Sequence, residues 1–241
     1  MPDYDPATYG DRMAEVYDEW FGTPENAAAS FLIELAGRGP VLELGIGTGW
    51  VALPLAERGI EVHGIDASEA MVERLWAKPG GDGVPVIIGD FADVDVEGRF
   101  SLVYVVFNTF FALLTQEDQI RCFANVAGRL EEGGTFVVEA FVPDPARLAA
   151  GEVTQTKRVE VDRVFLETSR YDLVNQRVYS QNISMGETET RFYPVRIRYA
   201  WPSELDLMAR LAGLRLRERL GGWHHEPFTA ASANHASVYE K

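Results

Sequence analysis

The chain has 241 residues, 46% hydrophobic and 24% charged, the balance of an ordinary folded protein with room for a sizeable core. Its 37 acidic against 22 basic residues leave a formal charge of −15, which argues against nucleic-acid partners and for small-molecule chemistry. With no apolar run of membrane-spanning length, no signal-peptide order in Met1-Pro2-Asp3-Tyr4-Asp5-Pro6 and one cysteine, Cys122, the expectation is a cytoplasmic protein without a membrane partner.

Residues 9–20 read as an N-terminal helix. Thr23-Pro24-Glu25 opens a second, with an N-cap and a proline in the first turn, that runs to about Ala36 and stops at Gly37. The apolar run Val41-Leu42-Glu43-Leu44 predicts a buried parallel strand, and Gly45-Ile46-Gly47-Thr48-Gly49 places three alternating glycines after it. Residues 50–58 then form a helix closed by Gly59. A strand feeding a glycine turn at a helix N-terminus is where an α/β sheet receives a nucleotide-like cofactor. The spacing G-x-G-x-G is one residue tighter than the dinucleotide fingerprint.

A second strand, 61–65, ends at Asp66; Ser68 caps the next helix, which Lys78-Pro79-Gly80 terminates. A third strand, 84–88, ends at Gly89-Asp90-Phe91, and a fourth, 101–107, is continuously apolar up to Asn108. Thr115 caps a helix to about Leu130, Gly133-Gly134 turns the chain, and 135–141 form a fifth strand. This alternation predicts a doubly wound parallel sheet. The rhythm then changes: 156–161, 164–171, 177–184 and 190–199 read as strands of an inserted antiparallel sheet. A helix at 203–212 and strands at 214–220 and 236–239 complete the chain, the last two flanking a loop with Trp223-His224-His225. The predicted organisation is a core of residues 1–150 and 201–241 with an insertion at 151–200.

Glycines at 45, 47 and 49 leave backbone bare for close approach by a ligand. Asp66, 17 residues past Gly49, ends its strand where a carboxylate can accept two ribose hydroxyl bonds. Asp90 lies on the same carboxyl edge, where it can take an adenine amino proton while Phe91 packs on the ring.

Glu43-x-Gly45-x-Gly47-x-Gly49, Gly64-Ile65-Asp66-Ala67-Ser68 and Gly89-Asp90-Phe91, in that order, resemble the cofactor motifs of class I S-adenosylmethionine-dependent methyltransferases. The resemblance spans roughly residues 9–141. It implies a seven-stranded, mostly parallel sheet whose final strand is reversed, and S-adenosyl-L-methionine as cofactor. It draws the cofactor site from Tyr9, Tyr17, Glu43, Gly45, Gly47, Gly49, Asp66, Ala67, Met71, Asp90, Phe91 and Phe107.

Within that family the chain is similar to small-molecule enzymes such as the sugar N,N-dimethyltransferases of antibiotic biosynthesis. Tyr9 and Tyr17 bracket the N-terminal helix as matching tyrosines do there, over the cofactor. Val137-Val138-Glu139 with Phe141 and Pro143 is similar to their fifth strand, and their β-rich insertion covers the acceptor pocket. The pattern departs at Ala112, where those enzymes carry a histidine, which detaches the resemblance from a sugar acceptor in particular.

Tyr9 and Tyr17 are candidates to steady the sulfonium; Glu139 and His224, with its neighbour His225, are candidate proton acceptors. Arg191, Tyr193, Arg196 and Arg198 share a strand and can hold an anionic acceptor group, form a solvated face or make dimer contacts. His63, His224, His225 and His235 lack ligand spacing, so no metal is expected. The expectation is methyl transfer to a small polar molecule, at nitrogen ahead of oxygen, with a homodimer through the insertion implied by the resemblance alone. An oxygen acceptor, a nicotinamide-dependent dehydrogenase and a non-catalytic cofactor-binding protein are the alternatives.

Overall fold

The computed structural model describes residues 4–21, 27–37 and 39–241. In chain order it contains α1 (Thr8–Met13), α2 (Tyr17–Phe21), α3 (Ala27–Ala36), β1 (Val41–Leu44), α4 (Ala52–Glu57), β2 (Val62–Asp66) and α5 (Glu69–Trp76). Then come β3 (Val86–Ile88), β4 (Phe100–Val105), α6 (Gln116–Arg129), β5 (Leu130–Phe141), α7 (Pro145–Ala150) and β6 (Glu152–Val159). β7 (Arg163–Asp172), β8 (Arg177–Gly186), β9 (Thr190–Arg198), α8 (Pro202–Leu211), β10 (Arg215–Leu220) and β11 (Asn234–Glu240) follow. No helix among the described residues is long and apolar enough to cross a membrane.

Seven strands form one sheet in the order β10-β11-β5-β4-β1-β2-β3. β1 to β5 pair in parallel, and β11 runs antiparallel to both β5 and β10, so it is the single reversed strand. Alternate side chains serve the two faces. Leu42, Leu44, Val103, Val105 and Val138 pack under α6 and α8 with Phe123, Leu205 and Met208. Val41, Leu102, Tyr104 and Val137 pack under α3 and α4 with Leu32 and Leu55. Burial on both faces is why these strands read as unbroken apolar runs. The parallel order brings every strand end from Leu44 to Phe141 to one carboxyl edge.

Several boundaries differ from the sequence expectation. The N-terminal helix is two short helices: α1 seats Gly10 against Ser68 and Met71 of the α5 start, where a side chain would not fit, and the chain then turns so that α2 meets the glycine turn instead. The Thr23-Pro24-Glu25 cap lies outside the described residues. β5 begins at Leu130, five residues early, because Leu130 pairs with Phe100 before the register shifts to Leu102 and Thr135. α7 is a further element: Asp144 caps it by accepting the Ala146 N–H at 2.8 Å, with Pro145 in its first turn.

The second sheet, β6-β7-β8-β9, is antiparallel throughout. Apart from Arg198 at its base, its buried residues Phe165, Ser169, Val178, Ser184 and Tyr193 alternate onto one face, which is therefore the inward one. At the base a polar network fixes it to the core. The buried Arg198 guanidinium donates to Gln119 on α6, to Glu204 on α8 at 2.7 Å and to Gln176 at 3.1 Å. Gln119 in turn donates to the Arg198 carbonyl at 2.8 Å, so the charges are paired and their donors used.

Candidate active site

The glycine turn sits at the carboxyl edge with φ between +54 and +81 at Gly45, Gly47 and Gly49. A Cβ at Gly45 would strike Thr109, whereas the side of Gly47 is open. The Gly47 N–H donates to Asp66 Oδ2 at 2.7 Å and the Ser68 N–H to Oδ1 at 2.9 Å. Asp66 thereby joins the turn to the end of β2, and burial raises its pKa against these bonds. Beneath the turn, Glu43 is buried and accepts the Tyr104 hydroxyl at 3.0 Å across the β1–β4 pair. Burial pushes its carboxyl up to about 8, with the nearby Asp66 charge adding to the effect.

Tyr17 faces these acids. Burial, then the charges of Glu43, Asp18 and Asp66, push its phenol up to about 12. Tyr17, Glu43, Gly45, Gly47, Trp50 and Phe107 line a cavity of about 30 Å³. Its aromatic wall is continuous: ring centroids lie 5.3 Å apart for Tyr17 and Trp50 and 5.9 Å for Trp50 and Phe107. Glu43 beneath aromatic faces favours a cation, which draws its buried carboxyl toward the ionised form.

α2 is clasped onto this turn by Asp18. Its Oδ1 accepts the Thr48 hydroxyl at 2.6 Å and the Trp50 indole N–H at 2.7 Å; its Oδ2 meets Lys78 Nζ at 2.8 Å. Lys78 also donates to the Thr48 carbonyl at 2.7 Å. These bonds hold Asp18 below the usual carboxylate range although burial opposes them. Sequence reasoning missed Asp18, Thr48, Trp50 and Lys78; an acid beside Tyr17 and an indole directly after the last glycine were the available signals.

Phe107 and Asn108 both adopt left-handed backbone, φ +55 and +65, unusual for non-glycine residues. Glu139 explains how. Its carboxylate accepts the Phe107 N–H, and its carbonyl accepts that of Asn108 at 3.3 Å. Asn108 Oδ1 accepts the Phe141 N–H at 2.6 Å. Burial pushes Glu139 up to about 7, opposed by these amides. Strain of this kind persists at sites where surrounding bonds enforce it.

The other sequence candidates fall in distinct places. Tyr9 packs against the buried cluster of Met13, Ala14, Met71 and Tyr193, and burial raises its phenol pKa; Ala67 lies between the Asp66 and Ser68 bonds. Asp90 accepts the Ala92 N–H at 2.8 Å, and the buried Phe91 approaches Gly45. His224 is exposed in the β10–β11 loop with its amide on Glu226, while His225 meets Phe31 of α3 edge-on; neither lines the cavity. The arginines do not converge. Arg191 pairs with Glu15 and Glu189, Arg198 belongs to the base network, and Arg196 lies over the rings of Tyr4 and Tyr179. An open groove of about 1000 Å³ between α1, α5 and the β8–β9 turn mixes Arg12, Arg74, Glu15 and Glu73 but contains none of the glycine motif.

A seven-stranded sheet with one reversed strand, a glycine turn over paired acids and a terminal aspartate on β2 define a binder of a cationic adenosine cofactor. Comparison with known proteins agrees: residues 41–134 match the family model described as "Methyltransferase domain". The chain is 30% identical to the cypemycin N-terminal methyltransferase of a Streptomyces species over 98% of its own length and 99% of that protein. It is 46% identical to the CcbJ methyltransferase of Streptomyces caelestis, whose structure superposes with a TM-score of 0.92 over 98% of both chains. The sugar N-methyltransferase KedS8 of Streptoalloteichus shares the fold, with a TM-score of 0.70 at 19% identity over 99% of this chain and 98% of that one. The chain belongs to the class I S-adenosylmethionine-dependent methyltransferases of the small-molecule type.

Proposed function

We propose that this protein transfers the methyl group of S-adenosylmethionine to a nitrogen of a small polar amine. When bound, the cofactor supplies a methyl carbon attached to positively charged sulfur. The observation that carries a nitrogen acceptor is the commitment of the site's ionisable groups. Tyr9 and Tyr17 are held as neutral phenols, Glu139 accepts the Phe107 amide and does not line the cavity, and Glu43 lies beneath the turn on Tyr104. An alcohol acceptor needs a base, whereas an amine that arrives neutral needs none. The relative named as an N-terminal methyltransferase, aligned over nearly the whole chain, supports the same choice.

In this reading Tyr9 and Tyr17 steady the sulfonium and Glu43 balances the donor's positive charge. Asp66 and Ala67 hold the ribose, Asp90 and Phe91 the adenine, and Met71 and Phe107 pack against the donor. Glu139 is a positioning residue for Phe107, and His224 has no part. Entry of a donor of this size needs more room than 30 Å³, so Tyr17, Trp50 and Phe107 must part to admit it. Residues 151–200 form a unit over the core of 1–150 and 201–241 that covers the acceptor. A homodimer through the outward face of that unit is part of the proposal, supported by the exposed Phe192 and Met185 there; the single buried cysteine supports a cytoplasmic setting.

The test is methyl transfer from S-adenosylmethionine to a panel of matched amines and phenols, with the new methyl located by NMR. Amine products are expected; methylation confined to phenols overturns the nitrogen assignment.

A further inference from the structure

The inward face of the second sheet has an uneven chemistry. At the base, Tyr171, Val178 and Ile197 pack into the main core. At the tip, Phe165 and Tyr193 meet Trp20, with ring centroids 5.3 and 4.7 Å away. Between these apolar contacts the same face carries Glu167, Ser169, Ser180 and Asn182, in register on neighbouring strands. A sheet face turned toward a core is ordinarily apolar. Here its middle is hydrophilic and framed by hydrophobic packing.

The bonds within this patch leave one group over. Ser169 and Ser180 share a hydroxyl bond of 2.7 Å. Glu167 accepts Ser169 Oγ and Gln155 Nε2, both at 3.3 Å, and pairs with Lys157 at 2.6 Å. The Asn182 side-chain amide, half-buried between Glu167 and Tyr193, makes no hydrogen bond among the described residues. An amide has two donors and an acceptor to satisfy, and burying it unpaired is costly. The patch carries no net charge, because the Lys157 ammonium offsets Glu167.

Its position ties it to the cofactor site. Trp20 stands one turn along α2 from Tyr17, which lines the cavity, and the turn 109–112, whose Thr109 also lines it, packs against β9. We propose that this patch is the acceptor-binding surface, with Asn182 reading a hydroxyl or amide group close to the nitrogen of an uncharged, polar portion of the acceptor. The assignment rests on the nitrogen-transfer reading above and adds the residues that select the acceptor. The unpaired amide excludes a wholly apolar acceptor, since one would leave it desolvated, and the balanced Glu167–Lys157 pair gives an anionic group no hold.

The test uses the full-length protein with D-glucosamine and cyclohexylamine, six-membered-ring amines with and without hydroxyls. Initial rates are read at saturating S-adenosylmethionine, and S-adenosylhomocysteine binding is read separately by calorimetry. Wild type is expected to favour glucosamine. Asn182→Leu should raise its KM roughly tenfold or more, with kcat and S-adenosylhomocysteine affinity preserved, and Asn182→Ala should follow it. Gln181→Leu, on the outward face, should behave as wild type. Equal kinetics for Asn182→Leu and wild type, preference for cyclohexylamine, or no turnover of either amine by an enzyme that binds S-adenosylhomocysteine overturns the assignment. A methyl found on a glucosamine hydroxyl would instead defeat the nitrogen reading, leaving the Asn182 comparison to be read on its own.

Discussion

Replacing Glu43 by glutamine should make the protein more stable and its cofactor site weaker, each with its own pH dependence. The Glu43 carboxyl moves from an ordinary 4.5 to about 8 in the folded protein, mainly through burial. A carboxyl raised in this way stays protonated in the folded chain while the unfolded chain releases its proton. Stability therefore falls as pH rises from about 4.5 to about 8, and the loss is complete above that window. At 1.36 kcal/mol per pKa unit the gap between the two values amounts to roughly 5 kcal/mol. Relaxation around an ionised Glu43 makes this a ceiling. In Glu43→Gln the amide oxygen still accepts the Tyr104 hydroxyl and carries no charge at any pH. Urea unfolding without cofactor should show the two proteins alike at pH 4.5 and the variant ahead by several kcal/mol at pH 9. Cofactor affinity should respond in the opposite sense. A bound cation favours ionised Glu43, so wild-type affinity for S-adenosylmethionine climbs with pH toward 8, and the variant's does not. Parallel stability curves across this range would refute the idea that burial of Glu43 stores this free energy.

Further outcomes follow from the same geometry. Asp66→Ala should weaken S-adenosylhomocysteine binding by tenfold or more in calorimetry, since hydrogen bonds to a charged acceptor are each worth about 1.5–3 kcal/mol; unchanged affinity would remove Asp66 from the ribose site. Asp18→Asn loses the Lys78 ion pair and weakens two further bonds, so stopped-flow fluorescence should show faster cofactor association and release; identical rates would mean that the clasp does not gate entry. Tyr9→Phe should lower turnover several-fold with its melting temperature nearly unchanged, while equal losses in both would mark Tyr9 as packing only.

The core was legible from sequence because each local signal agreed with the global fold. Val41-Leu42-Glu43-Leu44 is buried on both faces, Ser68 and Thr115 cap their helices by accepting the Met71 and Asp118 N–H groups at 3.2 and 3.0 Å, and Gly37 and Gly59 end theirs with positive φ. α7 was missed although Asp144-Pro145 is a regular helix start, because six residues give too little periodicity to detect. The site was legible only where chemistry sits in contiguous motifs. Asp18 with Trp50, Glu139 with Phe107 and Glu167 with Asn182 are 32, 32 and 15 residues apart in the chain. Their pairing is fixed by sheet register and helix placement, and no local pattern encodes it.

α2 spans the cofactor cavity and the proposed acceptor face within five residues. Tyr17 lines the cofactor cavity, Asp18 fastens the helix to the glycine turn, and Trp20 stands against Phe165 and Tyr193 of the second sheet. A helix this short moves as one body, so a displacement of α2 that opens the cavity also shifts Trp20 across the face that carries Asn182. On the proposed acceptor assignment, donor and acceptor binding are linked through one element, and linkage is reciprocal: whatever factor the donor adds to acceptor affinity, the acceptor adds to donor affinity. Trp20→Ala should uncouple them, leaving S-adenosylhomocysteine affinity near the wild-type value while removing its dependence on added amine. If the wild type binds S-adenosylhomocysteine equally well with and without saturating amine, the helix is a passive cover and the two sites act independently.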